Sequence, residues 1–185
     1  TQRIYNILLI ASKYDAFTLE EDGRIDEQIF NEYTSLNLRY PPRFTLASTL
    51  EEANELIKSR SFDLFIMMPA VENSAVFEYA KQLKELFPIV PVVLLTPFSS
   101  EVFHRLYQNK DFSGIDYVFS WLGETDLLLA IVKLLEDKLN VDQDIESVGV
   151  QVILFVENSI QFYSAILPYL YKHVFVQSRS FMTEA

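Results

Sequence analysis

Two rhythms of apolar residues alternate along the chain. Short runs of branched residues, the mark of strands covered on both faces, fall at 4–11, 62–68, 91–96 and 115–120. A weaker run at 43–48, behind Pro41 and Pro42, reads as one more strand. Between these runs the apolar residues return at helical spacing. The first such stripe is Ile25, Ile29, Phe30, Tyr33 and Leu36, so 12–23 reads as an insertion that delays the first helix. Thr49 and Glu52 have capping-box spacing and open a helix to about Arg60, with Ala53, Leu56 and Ile57 on its inner face. Further helices follow at Val76 to Phe87, at 99–108, and at 124–139, where Leu127, Leu128, Ile131, Leu134 and Leu135 form the stripe. Pro69 stops the third strand, and Gly114 turns the chain into the fifth.

Five strands alternating with five helices require crossover connections, hence a parallel sheet with helices on both faces. The expected fold is an α/β three-layer, doubly wound sandwich over residues 1–139. The polar, acidic stretch 140–150 reads as a linker. After it, 150–156 reads as another buried strand, and Tyr163, Ile166, Leu167, Leu170, Tyr171, Val174 and Phe175 mark a long helix in which Pro168 predicts a bend. Residues 151–185 are thus expected to be one strand and one helix of a second, truncated unit. That is fewer than the ~40 residues an autonomous core needs, so the piece must lean on the first unit or on a second copy, and a homodimer through 151–185 is expected.

Charge removes several function classes. Fifteen basic residues against 26 acidic ones give a formal net charge of −11, which repels phosphate backbones and anionic lipid; neither nucleic acid nor a membrane is expected as partner. The chain has no cysteine, so thiol chemistry and disulfides are out, and His104 and His173 lack partners at metal-ligand spacing. The glycines at 23, 114, 123 and 149 form no phosphate-binding loop, and no nucleophile elbow precedes a helix. No apolar run approaches the ~18 residues of a membrane span, so a cytoplasmic protein is expected. The sequence starts without methionine and reads as a fragment.

The order of elements and the phrases "FDLFIMMP" and "VPVVLLTP" resemble the third and fourth strands of response-regulator receiver domains over residues 4–139, and "VILFVENS" resembles the opening of a second receiver. The resemblance implies a five-stranded sheet in 2-1-3-4-5, flavodoxin-like order. It also implies a pair of acids after strand one, an aspartate phosphoacceptor ending strand three, Thr or Ser after strand four and Lys after strand five. Here Ala11 and Ser12 stand at the acid pair, Met68 at the acceptor, Thr96 at the hydroxyl and Ser120 at the lysine, with Trp121 next. A thioether accepts no phosphoryl group and offers magnesium no hard oxygen. Asp15, Glu20, Glu21 and Asp22 are the nearest spare carboxylates, expected to serve a helix end or face water, and Asp63 at the start of strand three is expected to cap a turn. In the second opening, Glu157 and Asn158 occupy the acid-pair positions, or cap an ordinary helix.

"YDAFTLEEDGRI" and "DYVFSWLGETDLLLAIVKLLEDKLNV", followed by "VGVQVILFVENSIQFYSAILPYLY", are similar to tandem degenerate receivers of phosphoenolpyruvate synthase-like proteins. The function this implies is a non-enzymatic pseudo-receiver that regulates or assembles a phosphotransfer enzyme. Its partners are other domains of that parent; ATP and magnesium belong to the parent, and no cofactor or metal is expected in the fragment. A working phosphoacceptor receiver and a small-molecule sensor at the loop-lined end of the sheet are the alternatives.

Overall fold

The computed structural model describes residues 2–20, 23–69, 75–97 and 100–183. Five parallel strands, β1 (Asn6–Ile10), β2 (Arg43–Ala47), β3 (Leu64–Met67), β4 (Val92–Thr96) and β5 (Tyr117–Ser120), form one sheet in the order β2-β1-β3-β4-β5. Every residue of β3 and β4 is buried, as unbroken apolar runs at the centre of a parallel sheet require. Alternate residues feed two cores. Ile7, Leu9, Ile66, Leu95 and Phe119 pack toward α2 (Ile25–Ser35) and α6 (Asp126–Val148), while Leu8, Ile10, Phe65, Met67 and Leu94 pack toward α3 (Leu50–Ser59), α4 (Ala75–Leu86) and α5 (Ser100–Tyr107). This is the expected three-layer sandwich in the expected strand order.

Local signals explain the element ends. Thr49 Oγ1 accepts the N–H of Glu52 at 3.1 Å, and Glu52 Oε2 accepts that of Ser48 at 2.7 Å, completing the capping box of α3. Gly114 lies so close to α4 that a Cβ there would stand 2.4 Å from the Lys81 nitrogen, which no larger residue tolerates.

Three sequence expectations need correction. A helix, α1 (Lys13–Leu19), follows β1 directly, so what reads as an insertion holds a helix of its own ahead of α2. The expected linker is helical through Val148, because 140–148 contains neither Gly nor Pro and its polar residues suit an exposed helix face; Gly149, at φ 68°, closes it in the left-handed conformation. Finally, 150–156 forms no strand. A strand needs a partner edge to satisfy its backbone, and 150–156 pairs with neither edge of the sheet. On β2, the N–H of Phe44 donates to Asp26 Oδ1 at 3.2 Å. On β5, the N–H of Ser120 donates at 2.8 Å to Ser164 Oγ of α7 (Ile160–Thr183).

Helix α7 continues through Pro168 and packs on β5 and α6. Leu167 enters the core at 1% exposure, and Tyr163 lies 5.9 Å from the Phe119 ring. Lys172 Nζ reaches Asp126 at 2.8 Å, and the Tyr171 hydroxyl donates to Asp137 at 2.6 Å. The helix therefore covers the outer edge of β5, a common way of blunting an edge strand.

Candidate functional site

In doubly wound sheets, ligands bind outside the carboxyl ends of the strands, so that rim is where chemistry is sought. Five of the residues singled out from sequence lie there, at or just past the ends of four strands. Ala11, just past β1, is completely buried and its N–H donates to Ala47 O at 3.0 Å. Met68, just past β3, is 1% exposed, and its N–H donates to Ile10 O at 2.9 Å. Thr96 and Ser120, the paired last residues of β4 and β5, are buried side by side in the sheet. Trp121 N–H donates to Thr96 O at 2.7 Å.

Among the described residues, much of what fills this rim is hydrocarbon. Ala11, Met68 and Trp121 join the same buried cluster as Ile7, Ile66 and Leu128, so the core runs up to the ends of the strands. Ser12 is committed locally. Its Oγ accepts the Asp15 N–H at 3.1 Å and donates to Asp15 Oδ2 at 2.9 Å, capping α1. Asp15 is buried at 5% exposure in the first turn of α1, where a carboxylate favours the helix dipole. Its charge adds to burial in pushing the Tyr107 hydroxyl above its ordinary pKa. The spacing Ser12 to Asp15 is that of a capping box and would have revealed α1.

The remaining candidates are dispersed. Glu20 Oε1 accepts the N–H of Ile25 at the start of α2, whereas Glu21 and Asp22 lie outside the described residues. Asp63 Oδ2 accepts the N–H groups of Tyr5 and Asn6 at 2.9 Å each, at the opposite end of the sheet; it ties the head of β3 to that of β1 instead of capping a turn as expected. His104 and His173 are exposed on α5 and α7. Glu157 and Asn158 precede α7; Glu157 Oε1 accepts the Ser159 N–H at 2.9 Å, Ser159 Oγ accepts that of Phe162, and Asn158 is exposed. Among the described residues, no group of three His, Cys, Asp or Glu side chains is arranged to hold a metal ion. Among them, too, no helix is long and apolar enough to cross a membrane.

The sheet order and this rim can be set against solved structures. A CheY-like response regulator receiver domain protein from Methanospirillum hungatei JF-1 superposes with a TM-score of 0.53 at 16% identity, over 75% of this chain and 98% of that one. The fold is the receiver fold. Response regulator DrrB of Thermotoga maritima, an OmpR/PhoB homolog, gives 0.52 at 16% identity over 73% of this chain; the match spans 54% of DrrB, about half its length. No family model matches the sequence, and no curated protein matches it. At such identities the likeness carries the receiver fold, and the chemistry of the rim rests on the residues present.

Proposed function

We propose that this chain is a pseudo-receiver: a regulatory or assembly module that works through its surfaces and undergoes no phosphorylation or catalysis of its own. The observation that carries the reading is Met68, buried at 1% exposure at the carboxyl end of β3 with Ala11 beside it in the same apolar cluster. Phosphoryl transfer to a receiver needs a carboxylate nucleophile there and magnesium held by acids next to it. A thioether cannot form the acyl phosphate, and an alanine supplies magnesium with no oxygen. Thr96 and Ser120, hydroxyl residues at the strand ends, are buried in the sheet.

The similarity of the 14–25, 116–141 and 148–171 phrases to phosphoenolpyruvate synthase-like proteins supports placing the module in such a phosphotransfer enzyme, with ATP and magnesium acting in other domains. It also supports reading 151–185 as the opening of a second receiver whose first strand forms only with the rest of that unit, with Glu157 and Asn158 at its acid pair. The exposed apolar side chains of that segment suit either the rest of that unit or a second copy of the chain. A cytoplasmic setting belongs to the same reading.

The test is to incubate the protein with acetyl phosphate and, separately, with beryllium fluoride, each with magnesium. Intact mass and the fluorescence of the rim residue Trp121 are then followed. The expected outcome is no phosphoryl adduct and no spectral change. A phosphoryl adduct mapping to the rim, whether an acyl phosphate cleaved by hydroxylamine or a stable ester, would sink the reading.

A further inference from the structure

Away from the apolar rim, a cavity of about 400 Å³ opens between α2, the turn before α6, and α7. Its lining is polar throughout: Gln28 and Glu32 of α2, Gly123 and Glu124 of the turn, Asp126 at the start of α6 and Lys172 of α7 are the residues that matter. Three carboxylates face one ammonium, so the cavity holds a net two negative charges. The field of a chain at −11 reinforces it.

Lys172 does not satisfy the cluster. Its ammonium hydrogen-bonds Asp126 Oδ2 at 2.8 Å and lies 3.8 Å from Glu32. Burial works to lower its pKa, yet the bond to Asp126 and the charges of Asp126, Glu32 and Glu124 outweigh it and hold the group more firmly protonated than usual. Asp126 itself is only 7% exposed, and its other oxygen, Oδ1, is buried with no hydrogen-bond partner. A buried carboxylate oxygen without a donor is unfavourable, so Asp126 carries an unmet demand for an N–H or O–H group, which a ligand in the cavity meets when the carboxylate turns toward it.

We propose that this cavity is a binding site for a multiply protonated aliphatic amine. One ammonium enters beside that of Lys172 to supply donors to Asp126, and a second meets the exposed Glu124. Several features favour an amine over a metal ion. A hard divalent cation needs about six convergent oxygens, and no group of three carboxylates in the described residues converges in that way. A space of this volume suits an extended organic cation. Because Lys172 stands on α7 and the other carboxylate-bearing elements belong to the sandwich, the bound amine would tighten α7 against α2 and α6. The proposal is independent of whether the rim accepts a phosphoryl group.

Spermidine is the probe, titrated calorimetrically into the whole chain at about 0.15 M ionic strength to screen non-specific attraction. The expected result is saturable binding at one site, weakened about tenfold by Asp126→Asn, the loss of one charge-assisted hydrogen bond. The exposed Glu124→Gln, which leaves the fold untouched, should weaken it severalfold. Magnesium chloride in place of spermidine should give no saturable heat. The idea is overturned by an absence of saturation, by equal affinity in Glu124→Gln, or by magnesium matching the amine.

Discussion

Strand β4 and the segment 150–156 read almost alike. "VVLLT" and "VQVILFV" are both dominated by branched aliphatics, and each is followed within a few residues by a helix. In the structure β4 is buried at every position between β3 and β5. The other segment lies unpaired, with Val152, Ile153, Leu154 and Val156 between 60% and 86% exposed. The difference is not in the side chains. β4 has neighbours on both sides that satisfy its backbone, whereas by the time 150–156 is reached, Asp26 has taken an N–H on one sheet edge and Ser164 one on the other. A strand-grade sequence nominates a strand, and an available edge decides whether one forms.

One substitution, leucine to alanine, made at three places measures how far that difference goes. Leu95, completely buried in β4, should be the most costly. Its loss leaves a cavity walled by a sheet that cannot collapse, and about 3–5 kcal/mol of unfolding free energy should disappear in urea titrations. A cost below about 1 kcal/mol would mean that the central strands are not packed as described. Leu167 is just as buried, at 1%, but it sits on α7, which can leave the sandwich without unfolding it. Leu167→Ala should therefore cost about 2 kcal/mol and raise amide exchange in α7 far more than in β4. Equal exchange in the two elements would show that α7 and the sandwich unfold as one.

How much of this was legible from residues alone follows the same division between local and non-local causes. The five strands of the sandwich and the capping box of Thr49 and Glu52 depend on neighbours in sequence, and the structure places each of them accordingly. Helix α1 was missed because its apolar stripe is short, although Ser12 and Asp15 announce it. The docking of α7 was not legible, because Ser164 meets Ser120 across 44 positions and Lys172 meets Asp126 across 46, and a single sequence does not record such pairings. The same holds for the acidic cavity, whose walls come from α2, α6 and α7.

The third substitution, Leu154→Ala, should do least and teach most about 150–156. At 86% exposure the side chain has almost no contacts to lose, so the stability change should stay within about 0.5 kcal/mol at low protein concentration. What should change is the apolar area shown to water. Each exposed methylene removed from the patch weakens any association through it by up to ~0.8 kcal/mol, so a dimer formed there would dissociate more readily in the variant. Sedimentation of both proteins across a concentration series separates the two cases. If the parent chain and Leu154→Ala sediment alike at every concentration, no second copy covers this face. If Leu154→Ala costs as much as Leu167→Ala even where the chain is monomeric, the segment is already buried against its own sandwich, and the contrast with β4 fails.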